Sequence, residues 1–242
     1  MPQPNQTIRG TQVPTANGAT VQTMEELHPP VLAYSTTETA AVFGKSTRAD
    51  GVHGESAAPT MSAVAGIHSA GGNGVYGSSS SGNAGFFQGN VQITGNLNVA
   101  GDIFLPGADL AEHFDIAPGA SLFPGMLAAL DETGALRPSV RPYDRTLAGV
   151  IAGAGSFRPA VLLDSALPDG PRARLSLAGK AYCFADTSNG SIAVGDLLTS
   201  SATPGCAMRA TDPNQSFGAV IGKALKPLTE GQELIPILVT LQ

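Results

Sequence analysis

The chain has 242 residues, of which 42% are hydrophobic and only 13% are charged, with a net charge of -6 at pH 7. A chain of this length and hydrophobic content can bury a sizeable core, which excludes wholesale disorder, and its acidic balance offers no basic surface for a nucleic acid. The 30 glycines and 18 prolines favour turns and short strands over long helices, so we predict an all-β fold.

Targeting and metal-binding signals are weak along the whole sequence. The start, MPQPNQTIRGTQ, lacks the basic stretch and apolar run of a Sec signal, and no run of about 18 apolar residues occurs that would insert into a membrane. We therefore expect a chain made in the cytoplasm without a Sec signal. The two cysteines and four histidines show no ligand spacing, so no metal and no cofactor is expected.

The first segment, residues 1–40, is rich in Pro, Gln, Thr and Asn and has little periodicity. Such a composition cannot build a core of its own. We expect an extended N-terminal docking arm that binds a particle or tail protein.

Five short units follow between residues 41 and 89, namely AVFGKS, GVHGES, AVAGIH, GVYGSS and GFFQGN. They place a large apolar residue at intervals of 10, 12, 11 and 11 residues, at Val42, Val52, Val64, Val75 and Phe86. Each unit is predicted to be a short strand and a turn. Repeats this short cannot enclose a core, so they must stack on the next repeat, on another chain, or on both. A Gly/Ser linker is the alternative, but it would not need a constant phase.

The stretch VQITGNLNVAGDIFL tightens this rhythm into strict alternation. Polar residues occupy the even positions up to Asp102, whereas the apolar ones fall on odd positions, at Val91, Ile93, Leu97, Val99, Ile103 and Leu105. Alternation is typical of a strand with one buried face, and no complementary element is encoded nearby. We expect this apolar edge to face the same edge of two sister chains, which gives an intertwined trimeric β-stalk over residues 41–105, triple β-helix or β-prism-like. A single-chain β-solenoid is the alternative.

Residues 106–242 form a glycine-punctuated globular segment in which one pattern occurs twice, about 70 residues apart. The matched positions are Gly125 with Gly195, Gly134 with Gly205, Arg137 with Arg209, and Val150-Ile151 with Val220-Ile221. Turn sequences such as DETG and TPG separate short apolar runs in both copies. We predict an internally duplicated small β-barrel or sandwich with almost no helix.

Together, VQITGNLNVAGDI, GADLAEHF and the later VGDLL resemble the C-terminal part of phage tail-fibre and neck-appendage proteins, whose stalks are trimeric. The GAD-x-AE junction is similar to the self-cleaving chaperone domain of pre-neck appendages. In that family an Asp and a Glu just beyond the stalk are linked to one autoproteolytic cut that releases the C-terminal domain. The resemblance implies these catalytic roles for Asp109 and Glu112.

These observations predict a structural homotrimer that acts by assembly, as a fibre, spike or appendage of a phage or phage-like particle, located on the virion or another extracellular particle. Two alternatives remain open. The first is a single-turnover self-cleaving chaperone or trimerisation domain. The second is a tip that binds a cell-surface receptor or a glycan, although the absence of Trp removes the usual platform for sugars.

Overall fold

The computed structural model describes residues 40–164 and 170–240. The docking arm predicted for residues 1–40 therefore lies outside the described residues, apart from Ala40. The chain divides into two units, residues 1–94 and residues 95–242, and each is treated by itself below.

In the second unit the predicted all-β fold is confirmed. Its described residues contain one four-residue helix, α1 (Pro213–Ser216), and ten strands: β1 (Asp109–Asp115), β2 (Leu127–Leu130), β3 (Leu136–Pro138), β4 (Leu147–Ile151), β5 (Pro159–Leu163), β6 (Arg172–Asp186), β7 (Leu197–Ser200), β8 (Ala207–Arg209), β9 (Val220–Ala224) and β10 (Gln232–Thr240). All ten strands belong to one hydrogen-bonded sheet, ordered β10-β9-β7-β8-β6-β4-β2-β3, with β1 beside β5 and β6.

The predicted duplication is present in the strand pairing. Strand β2 pairs antiparallel with both β3 and β4, and β7 pairs antiparallel with both β8 and β9. The register shifts after Ala128 in the first copy and after Leu198 in the second. Each copy also begins with a glycine at positive φ, +93° at Gly125 and +89° at Gly195. The two copies are therefore built on the same backbone plan.

The 15-residue strand β6 belongs to both copies. Its first half pairs with β1 and β4, and its second half pairs with β10. A parallel bridge from Ile116 to Leu136 in the first copy corresponds to the bridge from Ala185 to Ala207 in the second. The second half of β6 therefore plays the part of β1, and β10 plays the part of the first half of β6.

Two of the sequence matches within the duplication were wrong. Val150 pairs with Leu127, and the residue that pairs with the equivalent Leu197 is Lys223, so Val150 corresponds to Lys223 and not to Val220. The reason is that the second copy is longer by one residue before β8 and by two more before β9, in the connection that carries α1. Similar letters at a constant spacing therefore fell out of register.

The arginine match was displaced for the same reason. Arg137 pairs with Ala129, and in the second copy Met208 pairs with the equivalent Thr199. Arg137 thus corresponds to Met208, and Arg209 lies one residue further along. Since successive residues of a strand point to opposite faces, the two arginines do not share a face.

The two copies share one core and several polar contacts. The main cluster combines Leu127 and Val150 from the first copy with Leu198, Ile221 and Ile237 from the second. The hydroxyl of Tyr143 accepts hydrogen bonds from the backbone amides of Thr211 and Asp212, at 2.9 and 3.1 Å. The backbone amide of Asp144 donates to Ser200 Oγ at 2.9 Å. The copies consequently fold as one body.

Cys183 and Cys206 are both buried and form no disulfide in the described residues. Burial raises the pKa of both thiols, that of Cys206 to about 11. Both thiols stay protonated near neutral pH, which makes them poor nucleophiles.

Residues 40–108 contain turns and bends but no paired strand, and every residue from 40 to 106 is exposed. The strands predicted for the repeats therefore have no backbone partner within one chain. The parallel ladders of a single-chain β-solenoid are likewise missing from this range. Pairing with sister chains stays a prediction.

Close backbone packing at Gly222 gives a first test of the fold. A Cβ at this residue would collide with the carbonyl oxygen of Leu238 on the neighbouring strand β10, at φ +151°. We expect Gly222→Ala to lower the free energy of unfolding by about 3 kcal/mol or more, because the β9–β10 ladder must open. Gly134→Ala is the control, since its position has positive φ but open space, and should cost about 1 kcal/mol. Denaturant unfolding followed by circular dichroism measures both, and equal losses would contradict the packing argument.

Candidate functional site

The predicted trimer interface is uncovered within a single chain. We call Val91, Ile93, Leu97, Val99, Ile103 and Leu105 the stalk face. All six side chains are exposed, from 43% at Val99 to 68% at Leu97. Contiguous apolar surface that a chain leaves in water is typical of an interaction site.

Two glycines interrupt the stalk face without any cause inside the chain. Gly95 and Gly101 have nothing within 4 Å of the position that a Cβ would take, and neither has a positive φ. A single chain would therefore tolerate alanine at both positions. Close approach by another backbone is a common reason for glycine in an extended segment.

The two carboxylates at the junction lie on one strand, β1, which begins at Asp109 and includes Glu112. Strand β1 runs between β5 and β6, and its register shifts on both sides close to Leu110. No hydrogen bond joins the two carboxylates in the described part of the chain. The sequence motif thus placed them on the same strand, three residues apart, but the fold does not bring them together as a pair.

The environment of Asp109 is unusual for a carboxylate. The residue is 5% exposed, and neither its Oδ2 nor the neighbouring Ser176 Oγ has a hydrogen-bond partner. Burial raises the pKa of Asp109, and the Ser176 hydroxyl offsets this only in part. A buried acid with a raised pKa can act as a proton donor.

Sequence reasoning missed the residues that confine Asp109. A Cβ on Gly179 would lie 2.8 Å from the Asp109 Cα, and a Cβ on Gly107 would overlap the backbone of Ala160. Ser176 is fully buried on β6 opposite Ala111. The only signal in the sequence is that Gly179 stands 70 residues after Asp109, at the start of the second copy.

A second buried aspartate in this unit has the opposite electrostatics. Asp144 is 8% exposed, and its carboxylate accepts from Thr146 and lies 3.1 Å from the Arg137 guanidinium. Burial alone would raise the pKa of Asp144, but these hydrogen bonds and the arginine charge lower it. This carboxylate stays ionised and braces the first copy.

Other kinds of site find little support among the residues that the structure describes. An open groove of about 490 Å³ is lined by Leu197, Pro213, Phe217 and Val220, and Phe217 is 85% exposed. In the described ranges no group of three or more His, Cys, Asp or Glu residues could hold a metal ion. No helix found in those same ranges is long and apolar enough to cross a membrane.

No protein-family model and no curated protein matches this chain. Solved structures of bacteriophage proteins do show similarity. Pre-mature gene product 12 of bacteriophage phi29 is 14% identical at a TM-score of 0.40, and the similarity covers 62% of this chain and 24% of that one. The chain thus spans about a quarter of the length of that protein.

Two further structures from the same phage are similar. The gene product 12 C-terminal fragment is 12% identical at a TM-score of 0.36, covering 55% of this chain and 100% of the fragment. The N base of the head fiber gp8.5 is 16% identical at a TM-score of 0.31, covering 54% and 93%. All three are bacteriophage proteins, the class that the sequence motifs resemble.

The two buried aspartates predict opposite pH dependences. Because the folded-state pKa of Asp109 is raised, its charge costs stability as the pH rises above the ordinary value of 3.8. We expect Asp109→Asn to stabilise the chain by about 1 kcal/mol at pH 7, with the gain vanishing as the pH falls toward 3.8. Unfolding free energies measured between pH 3 and 8 test this.

Asp144→Asn is the matched control. The lowered pKa of Asp144 means that its contribution is present at neutral pH and is lost as the pH falls below 3.8. This variant should lose about 1.5–3 kcal/mol at pH 7 and converge on the unsubstituted chain in acid. A loss at Asp109→Asn equal to that at Asp144→Asn would show that the Asp109 carboxylate is stabilising after all.

Proposed function

We propose that this chain is a structural component of a phage or phage-like particle, a fibre, spike or appendage that works by assembling into a homotrimer. The observation that carries the proposal is the stalk face, six exposed apolar side chains in strict alternation with polar ones. Two glycines at open positions within it, Gly95 and Gly101, add that another backbone comes close. The motif resemblance to trimeric phage stalks supports the same reading.

Assembly would be driven by burial of apolar surface. Covering a side chain that is about half exposed yields roughly 1 kcal/mol, so six of them in each of three chains give a strong combined drive. Contact with sister chains would also supply the backbone partners that residues 40–108 lack in one chain. Formation of the stalk and of the trimer would then be one process.

The remaining parts of the chain fit this role as proposals. Residues 1–40 would form the arm that docks on a particle or tail protein, and the duplicated β-domain would form the distal end. The protein would be located on the virion. The mechanism is assembly and involves no cofactor.

The assembly proposal predicts an asymmetry between neighbouring residues. Leu97→Asp puts a charge on the stalk face and should leave the chain as a monomer of 24.4 kDa, while Asn96→Asp on the polar side should leave a trimer of three times that mass. Native mass spectrometry at micromolar concentration measures both. A monomeric unsubstituted chain, or equal behaviour of the two variants, would refute the proposal.

Single-turnover self-cleavage near the junction is a second candidate. It is favoured by one observation, the buried Asp109 carboxyl with a raised pKa and an unpartnered oxygen at the start of β1. In this role Asp109 would supply the proton and Glu112 would act as the base, as the family resemblance implies.

A denaturing gel of freshly expressed chain tests the second candidate. Self-cleavage predicts two fragments that together account for 24.4 kDa, and a single intact band for Glu112→Ala. Glu132→Ala is a control, because Glu132 lies in the exposed turn between β2 and β3. One intact band for the unsubstituted trimer would rule self-cleavage out.

A further inference from the structure

Four glycines in the repeat segment 42–88 hold a constant position relative to the next repeat. They stand two residues after each repeat valine, at Gly44, Gly54, Gly66 and Gly77. A Cβ on Gly44 would lie 2.8 Å from Val52 Cγ2, and on Gly66 it would lie 2.6 Å from Val75 Cγ2. A Cβ on Gly54 would meet Val64 Cγ2 at 2.6 Å. Each of these three glycines therefore makes room for the valine of the repeat that follows.

This contact sorts the side chains of the repeats into two sets. In an extended backbone, residues two apart share a side and the residue between them points the other way. The set that stacks on the glycines, here the valine column, is Val42, Val52, Val64, Val75 and Phe86. The set between valine and glycine, here the alternate column, is Phe43, His53, Ala65, Tyr76 and Phe87.

The valine column is incompletely covered by this stacking. Its members remain between 69% and 79% exposed, because each glycine shields little of the valine above it. The members are also uniform, four valines and one phenylalanine, whereas the alternate column mixes aromatic, imidazole and methyl side chains. Uniform apolar size at a fixed phase is typical of a packed column in a repeat protein.

We propose that the valine column faces the same column of two other copies of this chain, in register, while the alternate column faces solvent. This inference rests on the proposed function, because it assumes the homotrimer. It extends that function by assigning the inner and outer sides of the repeat segment, which lies before the stalk face in the chain.

The spacing of the column identifies the partner. Its apolar residues follow one another at irregular intervals of 10, 12, 11 and 11 residues. A complementary surface must offer apolar groups with the same irregular spacing, and a second copy of the chain in register has that spacing by construction. The in-register arrangement also extends the direction of burial proposed for the stalk face.

The area is sufficient for a stable contact. The exposed apolar side chains of the valine column and the stalk face together amount to roughly 800 Å² per chain, which is the amount that a standard interface buries on each partner. Either set alone would fall short of that amount.

Charge supports the outward placement of the alternate column. His53 Nδ1 lies 3.3 Å from Asp50 Oδ2, and its Nε2 lies 4.0 Å from Glu55 Oε2. Turning His53 toward a threefold axis would bring acidic groups from three chains into a dry interior, which is costly. On the outer side these groups remain hydrated.

Thiol protection in the full-length chain tests the assignment. In the trimer, the new thiol of Val75→Cys should react with a soluble maleimide at least about 100-fold more slowly than that of Tyr76→Cys. The unsubstituted chain is the background control, because Cys183 and Cys206 are both buried. Adding Leu97→Asp to either variant should abolish assembly and make both new thiols react at similar rates.

The outcomes separate this inference from the proposed function. A trimer in which the two thiols react equally, or in which the Tyr76→Cys thiol is the protected one, overturns the column assignment and leaves the trimer standing. A monomeric unsubstituted chain overturns the proposed function itself. If Val75→Cys prevents assembly, the milder pair Val64→Cys and Ala65→Cys decides by the same rates, with protection expected at residue 64 alone.

Discussion

Strand β6 is the constraint on which the C-terminal unit depends, because both copies of the duplicated unit hydrogen-bond to it. Its first half completes the first copy through β1 and β4, and its second half completes the second copy through β10. Neither copy could close its core without this strand, since Leu127 and Ile237 belong to one cluster that spans them. The Tyr143 hydroxyl and the Asp144 amide tie the copies together again through polar contacts. The duplication is therefore structural in effect as well as in origin.

The two parts of the chain treat their apolar residues in opposite ways. Strands such as β7 and β9 bury alternate or consecutive side chains against their own neighbours, and Leu198 and Ile221 are fully covered. The repeats place valines and phenylalanines at a regular phase and leave them in water. A chain that has solved burial so completely in one unit has no need of exposed aliphatic columns in another, unless those columns meet a partner.

Sequence alone predicted what local chemistry determines. The paired glycines Gly125 and Gly195 identified the duplication because both require positive φ. Alternation in the stretch 91–105 identified a one-sided apolar edge, and its residues are exposed in the single chain as that reasoning requires. The register of β9 was misjudged because the inserted helix α1 shifts it in a way that similar letters do not reveal. The burial of Asp109 and its approach to Ser176 depend on the packing of β1 against β6, which no local pattern encodes.

Strand β5 occurs in the first copy only, and it pairs parallel with β1 on the side that β6 leaves open. The polypeptide leading from the repeats thus enters this unit through a strand clamped on both edges. Tension applied along β1 from its N-terminal end would pull on the ladders to β5 and β6 in shear, so that many bonds share the load at once instead of parting one by one. A strand held this way suits a part that must transmit mechanical force without unravelling.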